Sequence, residues 1–184
     1  MNQHDMTRNM VLAALFAALT AIGAFLQIPT GTVPITLQFL FTALAGLLLG
    51  WKWGAVSQLL YVGIGLLGLP VFTQGGGIGY VLQPSFGFLL GLIPAAAVIG
   101  ALTARRTGYL TVLAAVLVGD LIPYAVGVPF MYVILHVYMQ SAKTFPALLA
   151  AMLVYVPGDT LKIVVVTALV PVLRRTLAKA VPNL

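Results

Sequence analysis

The chain has 184 residues, 61% hydrophobic and only 7% charged, with a mean hydropathy of +1.11. Soluble domains carry about 25% charged residues, so a soluble globular fold is excluded and an integral membrane protein is indicated. The net charge of +6 comes from basic residues scattered singly or in pairs at the ends of apolar runs, an orientation signal and not a phosphate-binding patch, so no nucleic acid partner is expected. The lack of Cys removes thiol catalysis, disulfides and Cys-based metal sites, and His4 and His136 lie too far apart for a local metal motif. No metal and no cofactor is expected.

No Asp, Glu, Lys, Arg or His occurs between Arg8 and Lys52, or between Lys52 and Arg105. Each gap is long enough for two crossings of a hydrocarbon core about 30 Å thick, and runs this apolar cross only as helices. The first apolar run, Met10 to Ile28, follows the short polar segment Met1–Asn9. It exceeds the roughly 7–15 residues of a signal-peptide core and predicts a retained first helix. Ala13, Ala14, Ala17, Ala18 and Ala21 recur there at helical spacing. They leave a smooth stripe for a close-packed helix, from this chain or from a partner.

Pro29 to Pro34 reads as a loop, because two prolines and a glycine break regular helix. A second, short helix is predicted over Thr36 to Gly50, with Gly46 and Gly50 as a small-residue packing pair. Trp51-Lys52-Trp53 then marks a membrane interface. A third helix follows to Gly68. The next loop, Leu69 to Gln83, carries Gly75, Gly76, Gly77 and Gly79, but no Gly-Lys-Ser/Thr follows and the G-x-G-x-x-G pattern fails. Nucleotide binding is therefore rejected. The glycines leave two readings, a flexible connector or backbone N–H groups that approach a small ligand closely.

The fourth helix is predicted over Pro84 to Ala104, ending at Arg105-Arg106. The fifth starts near Tyr109, carries Asp120 in an apolar run, and is expected to kink or end at Pro123 and Pro129. Val137 to Phe145, with Lys143, reads as a loop. The sixth runs from Pro146, kinks at Pro157 and ends at Arg174-Arg175. The expected fold is thus a single all-α membrane domain over 1–184, with six transmembrane helices. Arg8, Lys52, Arg105, Arg106, Arg174, Arg175 and Lys179 fall on one side of that topology, and Lys143 alone on the other. By the positive-inside rule the N- and C-termini are cytoplasmic.

The stretch Tyr155-Val156-Pro157-Gly158-Asp159-Thr160-Leu161-Lys162 holds an acid and a base one helical turn apart between uncharged flanks. A charge inside a bilayer costs at least about 2.5–3.5 kcal/mol. The pair is either a neutralised structural tie between helices or a ligand site. Reckoned from Arg174, Asp159 lies about 22 Å above the cytoplasmic boundary, and reckoned from Thr107, Asp120 lies about 20 Å above it. All three charges therefore share the outer half of the membrane. If the fifth and sixth helices are neighbours, they line a cup open to the outer side, beneath the uncharged loops Pro29 to Ile35 and Leu69 to Gln83.

Several segments, in order and spacing, carry a family resemblance. They are Ala14-Leu15-Phe16-Ala17-Ala18-Leu19-Thr20, Val33-Pro34-Ile35-Thr36-Leu37-Gln38, Gly68-Leu69-Pro70-Val71-Phe72 with its glycine run, Gly119-Asp120-Leu121-Ile122-Pro123-Tyr124, and Pro157-Gly158-Asp159-Thr160-Leu161-Lys162. The chain resembles the BioY family, the biotin-specific substrate-binding (S) components of energy-coupling-factor (ECF) transporters. It departs from that pattern at Leu82-Gln83-Pro84-Ser85-Phe86-Gly87-Phe88, where relatives tend to have Gly-Pro-Thr-Gly-Gly-Tyr. The resemblance implies a multi-pass protein of a prokaryotic cell membrane that captures biotin at the extracellular face. It implies as partners a transmembrane coupling component and two ATPases, with the alanine stripe as docking face.

Biotin's ureido ring offers two N–H donors and one carbonyl, and a carboxylate ends its flexible chain. An ionised Asp only accepts and a Lys only donates, so Asp159 with Lys162 matches the ureido head, with Asp120 beside Lys162. The carboxylate then points toward Gln38, the backbone of Gly75 to Gly77, or Gln83. Phe39, Phe72, Tyr80, Phe88 and Tyr124 are candidate walls. The reverse arrangement pairs Lys162 with the carboxylate. Competing functions are an S component for a different vitamin, an intramembrane enzyme using Asp120 and Asp159, and a purely structural subunit.

Overall fold

The computed structural model describes residues 3–30, 33–106 and 108–180. Gly31 and Thr32 of the expected first outer loop, and Thr107, from which the depth of Asp120 was reckoned, lie outside the described residues. Helix α1 (Gln3–Phe25) begins in the polar segment ahead of the apolar run. There the Arg8–Asp5 ion pair, 3.7 Å apart, and the Thr7 hydroxyl on the Gln3 carbonyl carry the helix outward. It ends short of Ile28, because β1 (Gln27–Ile28) pairs antiparallel with β2 (Ile35–Thr36). The expected loop therefore connects two paired strands.

Helix α2 (Gln38–Leu66) contains one non-helical residue, Gly50, at φ 77° and ψ 179°. This region of backbone space is effectively reserved for glycine. The chain doubles back there. A Cβ on Gly54 would lie 2.9 Å from the Gly46 Cα, and the Thr42 hydroxyl reaches the Gln58 amide oxygen at 3.0 Å. Gly46 packs as its spacing predicts, against the Ala96 carbonyl, whereas the Cβ position of Gly50 points into open space and only its backbone is approached, by Gly100. Gly50 is the hinge, and the exposed Trp51 and Lys52 cap the turn.

Helix α3 (Phe86–Leu102) lies against both arms of α2, and Gly100 meets the backbone of Gly50 and Trp51. Helix α4 (Tyr109–Val133) runs through Pro123 and Pro129 and continues as a π-helical turn, Ile134–Tyr138. Neither proline ends it, and the expected loop shrinks to 139–144. Surrounding helices support such prolines in an apolar setting, and Gly91 of α3 seats directly on Pro123. Helix α5 (Phe145–Ala151) leads through a 3-10 turn (Met152–Tyr155) into α6 (Val156–Ala180). The irregularity precedes Pro157, which sits in the first turn of α6, where its missing N–H costs nothing.

Along α6 the residues Asp159, Lys162, Ile163, Val166 and Val170 are buried, while Leu161, Val164, Leu169 and Val172 are exposed. One face is thus committed to the core and the other left apolar for lipid. Among the described residues, four helical stretches are long and apolar enough to cross a membrane: Gln3–Phe25, Gln38–Leu66, Tyr109–Tyr138 and Phe145–Leu173, with Phe86–Leu102 shorter. The protein is an all-helical membrane protein.

Replacing Gly50 by Ala is predicted to destabilise the fold by about 1–3 kcal/mol through backbone strain alone. Because the space there is open, Gly50→Ser costs the same as Gly50→Ala. Thermal unfolding in detergent checks this, and an unchanged midpoint for both contradicts the hinge assignment.

Candidate functional site

Asp159 and Lys162 meet on the buried face of α6, with Lys162 Nζ 2.5 Å from Asp159 Oδ1. The residues are 7% and 8% exposed, so neither charge is solvated by bulk water. Three elements converge on them. Tyr124 of α4 donates its hydroxyl to Asp159 Oδ2. The Thr36 carbonyl of β2 accepts from Lys162 Nζ at 3.4 Å. Asp159 also lies in the first turn of its helix, where a negative charge is favoured by the helix dipole.

A cavity opens beside the pair, bounded by Asp120, Pro123 and Tyr124 of α4, by Phe88, Leu89 and Leu92 of α3, and by Gln38 and Phe39 of α2. Its rim is Val33 to Thr36, Thr73, Tyr80 and Ser85, with Met152 and Tyr155 on the remaining side. Tyr155 fixes that rim: its hydroxyl donates to the Val33 carbonyl, and Thr30 Oγ1 lies 3.0 Å from it. Phe88, Tyr124 and Tyr155 form an edge-to-face series, with ring centroids 5.8 and 6.5 Å apart. Helices five and six of the sequence reading are indeed adjacent here, since Tyr124 and Asp159 are bonded.

Of the residues singled out in the sequence, Asp159, Lys162, Asp120, Tyr124, Gln38, Phe39, Tyr80 and Phe88 all border this cavity. Asp120 makes no hydrogen bond or ion pair among the described residues, so it is not bonded to Lys162. Phe72, Gly75, Gly76, Gly77 and Gln83 are not on the cavity wall. Phe72 is 1% exposed, its ring packed edge-on to Tyr61 at 5.5 Å and tilted against Tyr80 at 4.6 Å. The glycines are spent on the loop itself. Gly77 N–H donates to the Gly65 carbonyl at 2.7 Å and Gly75 N–H to the Phe72 carbonyl at 3.3 Å, while a side chain on Gly76 would strike the Leu69 carbonyl. Gln83 N–H bonds the Tyr80 carbonyl at 2.9 Å, closing a 3-10 turn (Ile78–Leu82), and its neighbour Ser85 lines the cavity instead.

The alanine stripe of α1 divides. Ala13 and Ala17 are 0% and 4% exposed and pack inside the protein, Ala21 is half-buried, and Ala14 and Ala18 face outward. Sequence reasoning missed Tyr155, Thr36, Met152 and Ser85 as residues of the cavity wall. A signal existed for Tyr155, which lies one helical turn before Asp159 and so shares its side of the chain.

Removing one partner of a buried ion pair leaves the other uncompensated. Lys162→Met is therefore predicted to lower stability by about 3–5 kcal/mol, and the double variant Asp159→Leu/Lys162→Met to recover most of it. Chemical unfolding in detergent measures both. A single variant as stable as the parent contradicts the pairing.

Residues 1–179 match the BioY family. A protein of Lysinibacillus sphaericus described as a probable biotin transporter BioY is 52% identical over 147 residues, which is 79% of this chain and 75% of that one. The biotin transporter BioY of Rhodobacter capsulatus is 40% identical over 188 residues, covering 97% of each chain. Among solved structures, the crystal structure at 2.1 Å of the S-component for biotin from an ECF-type ABC transporter superposes with a TM-score of 0.83. Its identity is 28%, and 95% of both chains is covered. With the match running along nearly the whole chain, and the fold agreeing with that of a solved S-component, this protein belongs to the BioY family.

Proposed function

We propose that this chain captures biotin at the outer face of a prokaryotic cell membrane as the substrate-binding component of an ECF-type transporter. ATP hydrolysis is supplied by partner subunits, two ATPases joined through a transmembrane coupling component. The observation that carries the reading is the desolvated Asp159–Lys162 pair on the wall of a cavity otherwise bounded by aromatic and aliphatic side chains. The bonds already made leave capacity for a ureido ring. Each oxygen of Asp159 accepts one bond within the protein, and a carboxylate accepts about four. Lys162 spends protons on Asp159 and Thr36 and retains one. The free lone pairs suit the ring N–H groups and the free proton suits the ring carbonyl.

Six crossings with cytoplasmic termini fit this assignment. The hinge at Gly50 turns α2 into two antiparallel arms, and Lys52 at its tip falls on the same side as Arg105 and Arg106 beyond α3. The rim residues, including the start of α2 and the 3-10 turn after it, then fall on the opposite, outer side. The outward faces of Ala14 and Ala18 offer the coupling component a flat approach. Acid–base chemistry by Asp120 and Asp159 is disfavoured, since Asp159 is held by a cation and a phenol donor.

Equilibrium binding to the detergent-purified chain tests the proposal. Biotin is expected to bind tightly and desthiobiotin, which keeps the ureido ring, to compete. Thiamine and riboflavin are expected not to compete. Equal binding of an unrelated vitamin, or none of biotin, overturns the assignment.

A further inference from the structure

A chain of buried polar groups runs from the cavity into the protein. Gln38 borders the cavity, and its Nε2 donates to the Tyr61 hydroxyl at 2.8 Å. That hydroxyl is 3.1 Å from the Val71 carbonyl, to which its only proton goes. On the other side of the amide, the Thr36 hydroxyl donates to Gln38 Oε1 at 2.8 Å. Gln38 is 6% exposed and Tyr61 1% exposed.

These commitments fix which way the Gln38 amide faces. If it were flipped, its oxygen would confront a phenol oxygen whose proton is already used, and its NH2 would confront Thr36. Two buried oxygens left face to face lose a bond and repel. With the amide as found, Nε2 has one N–H engaged by Tyr61 and one unspent. The side chain therefore offers the cavity a donor.

Tyr61 does not itself border the cavity. Its ring is packed against Phe72, and the ring alone would satisfy that packing. The hydroxyl has a separate consequence, because Val71 stands in the outer loop after α2 while Gln38 opens α2. One buried phenol thus ties the rim loop to the amide that faces the ligand.

We propose that Tyr61 is a positioning residue for ligand selectivity: its hydroxyl sets the polarity of the Gln38 amide, so that the free N–H receives the ligand's carboxylate. This rests on the proposed reading of the cavity as a biotin site with the ureido head at Asp159 and Lys162. The reserved donor favours an acid over a ligand whose chain end is esterified.

The test uses Tyr61→Phe, which removes the hydroxyl and keeps the ring, in the full-length detergent-purified chain. Affinities for biotin and biotin methyl ester are measured in the parent, in Tyr61→Phe, in Gln38→Leu and in the double variant. The expected result is a loss of about 5- to 20-fold for biotin in Tyr61→Phe, with less than about 2-fold for the ester. The double variant is expected to be no weaker than Gln38→Leu. Thermal midpoints of the parent and Tyr61→Phe verify that both are folded. Equal losses for acid and ester, additive effects of the two substitutions, or unchanged biotin affinity in Tyr61→Phe overturns the inference. Failure of the parent to bind biotin instead overturns the functional reading beneath it.

Discussion

A carboxylate and an ammonium held 2.5 Å apart, each residue less than a tenth exposed, place a strict demand on the surrounding protein. Neither charge is stable there alone, so every element that touches them must supply compensation. Tyr124 supplies a donor for Asp159 and the Thr36 carbonyl an acceptor for Lys162, which ties α4 and the short ribbon to α6. Replacing such a pair by apolar residues is often neutral or stabilising, so the fold alone gives little reason to keep it. Its position on the wall of a cavity gives one. A ligand carrying adjacent donors and an acceptor meets both signs at a single place.

The rest of the structure gives that pair a fixed frame. Tight backbone packing at Gly46, Gly54, Gly91 and Gly100 leaves little room for the arms of α2, α3 and α4 to slide past one another. The rim is equally constrained, by the Tyr155 hydroxyl on Val33, by the Gly75 N–H on Phe72 and by the Gly77 N–H on Gly65 of α2. The polar groups at the ion pair come from side chains on helices and from one strand carbonyl, a placement more precise than a loop alone would give.

The charges and apolar runs made much of this legible in advance. Asp159, Lys162 and Asp120 are conspicuous because charge in lipid is costly, and a constant helical rise sets them at similar expected depths. Gln38 and Tyr124 stand in segments that carry the resemblance, and Tyr80 and Phe88 are candidate apolar walls. The errors have physical causes. Pro123 and Pro129 are expected to kink or end the helix, but neither ends it: α4 runs through both, and Gly91 of α3 packs directly on Pro123. The glycine-rich loop suggested N–H groups for a ligand. The N–H groups of Gly75 and Gly77 are taken by the carbonyls of Phe72 and Gly65, a competition that composition does not reveal. Gly50 carried the signature of a packing glycine and its backbone does meet Gly100 of α3, but its φ of 77° shows that it also turns the chain. The alanines of α1 divide between an inward and an outward edge, and spacing does not say which edge is which.

The most direct measurement is the structure of this protein with biotin bound. The account predicts the ureido ring beside α6, with a ring N–H donating to Asp159 and the ring carbonyl accepting from Lys162 at about 2.7–3.2 Å. Biotin bound elsewhere, or in this cavity with its carboxylate on Lys162 and its ring away from Asp159, would contradict it.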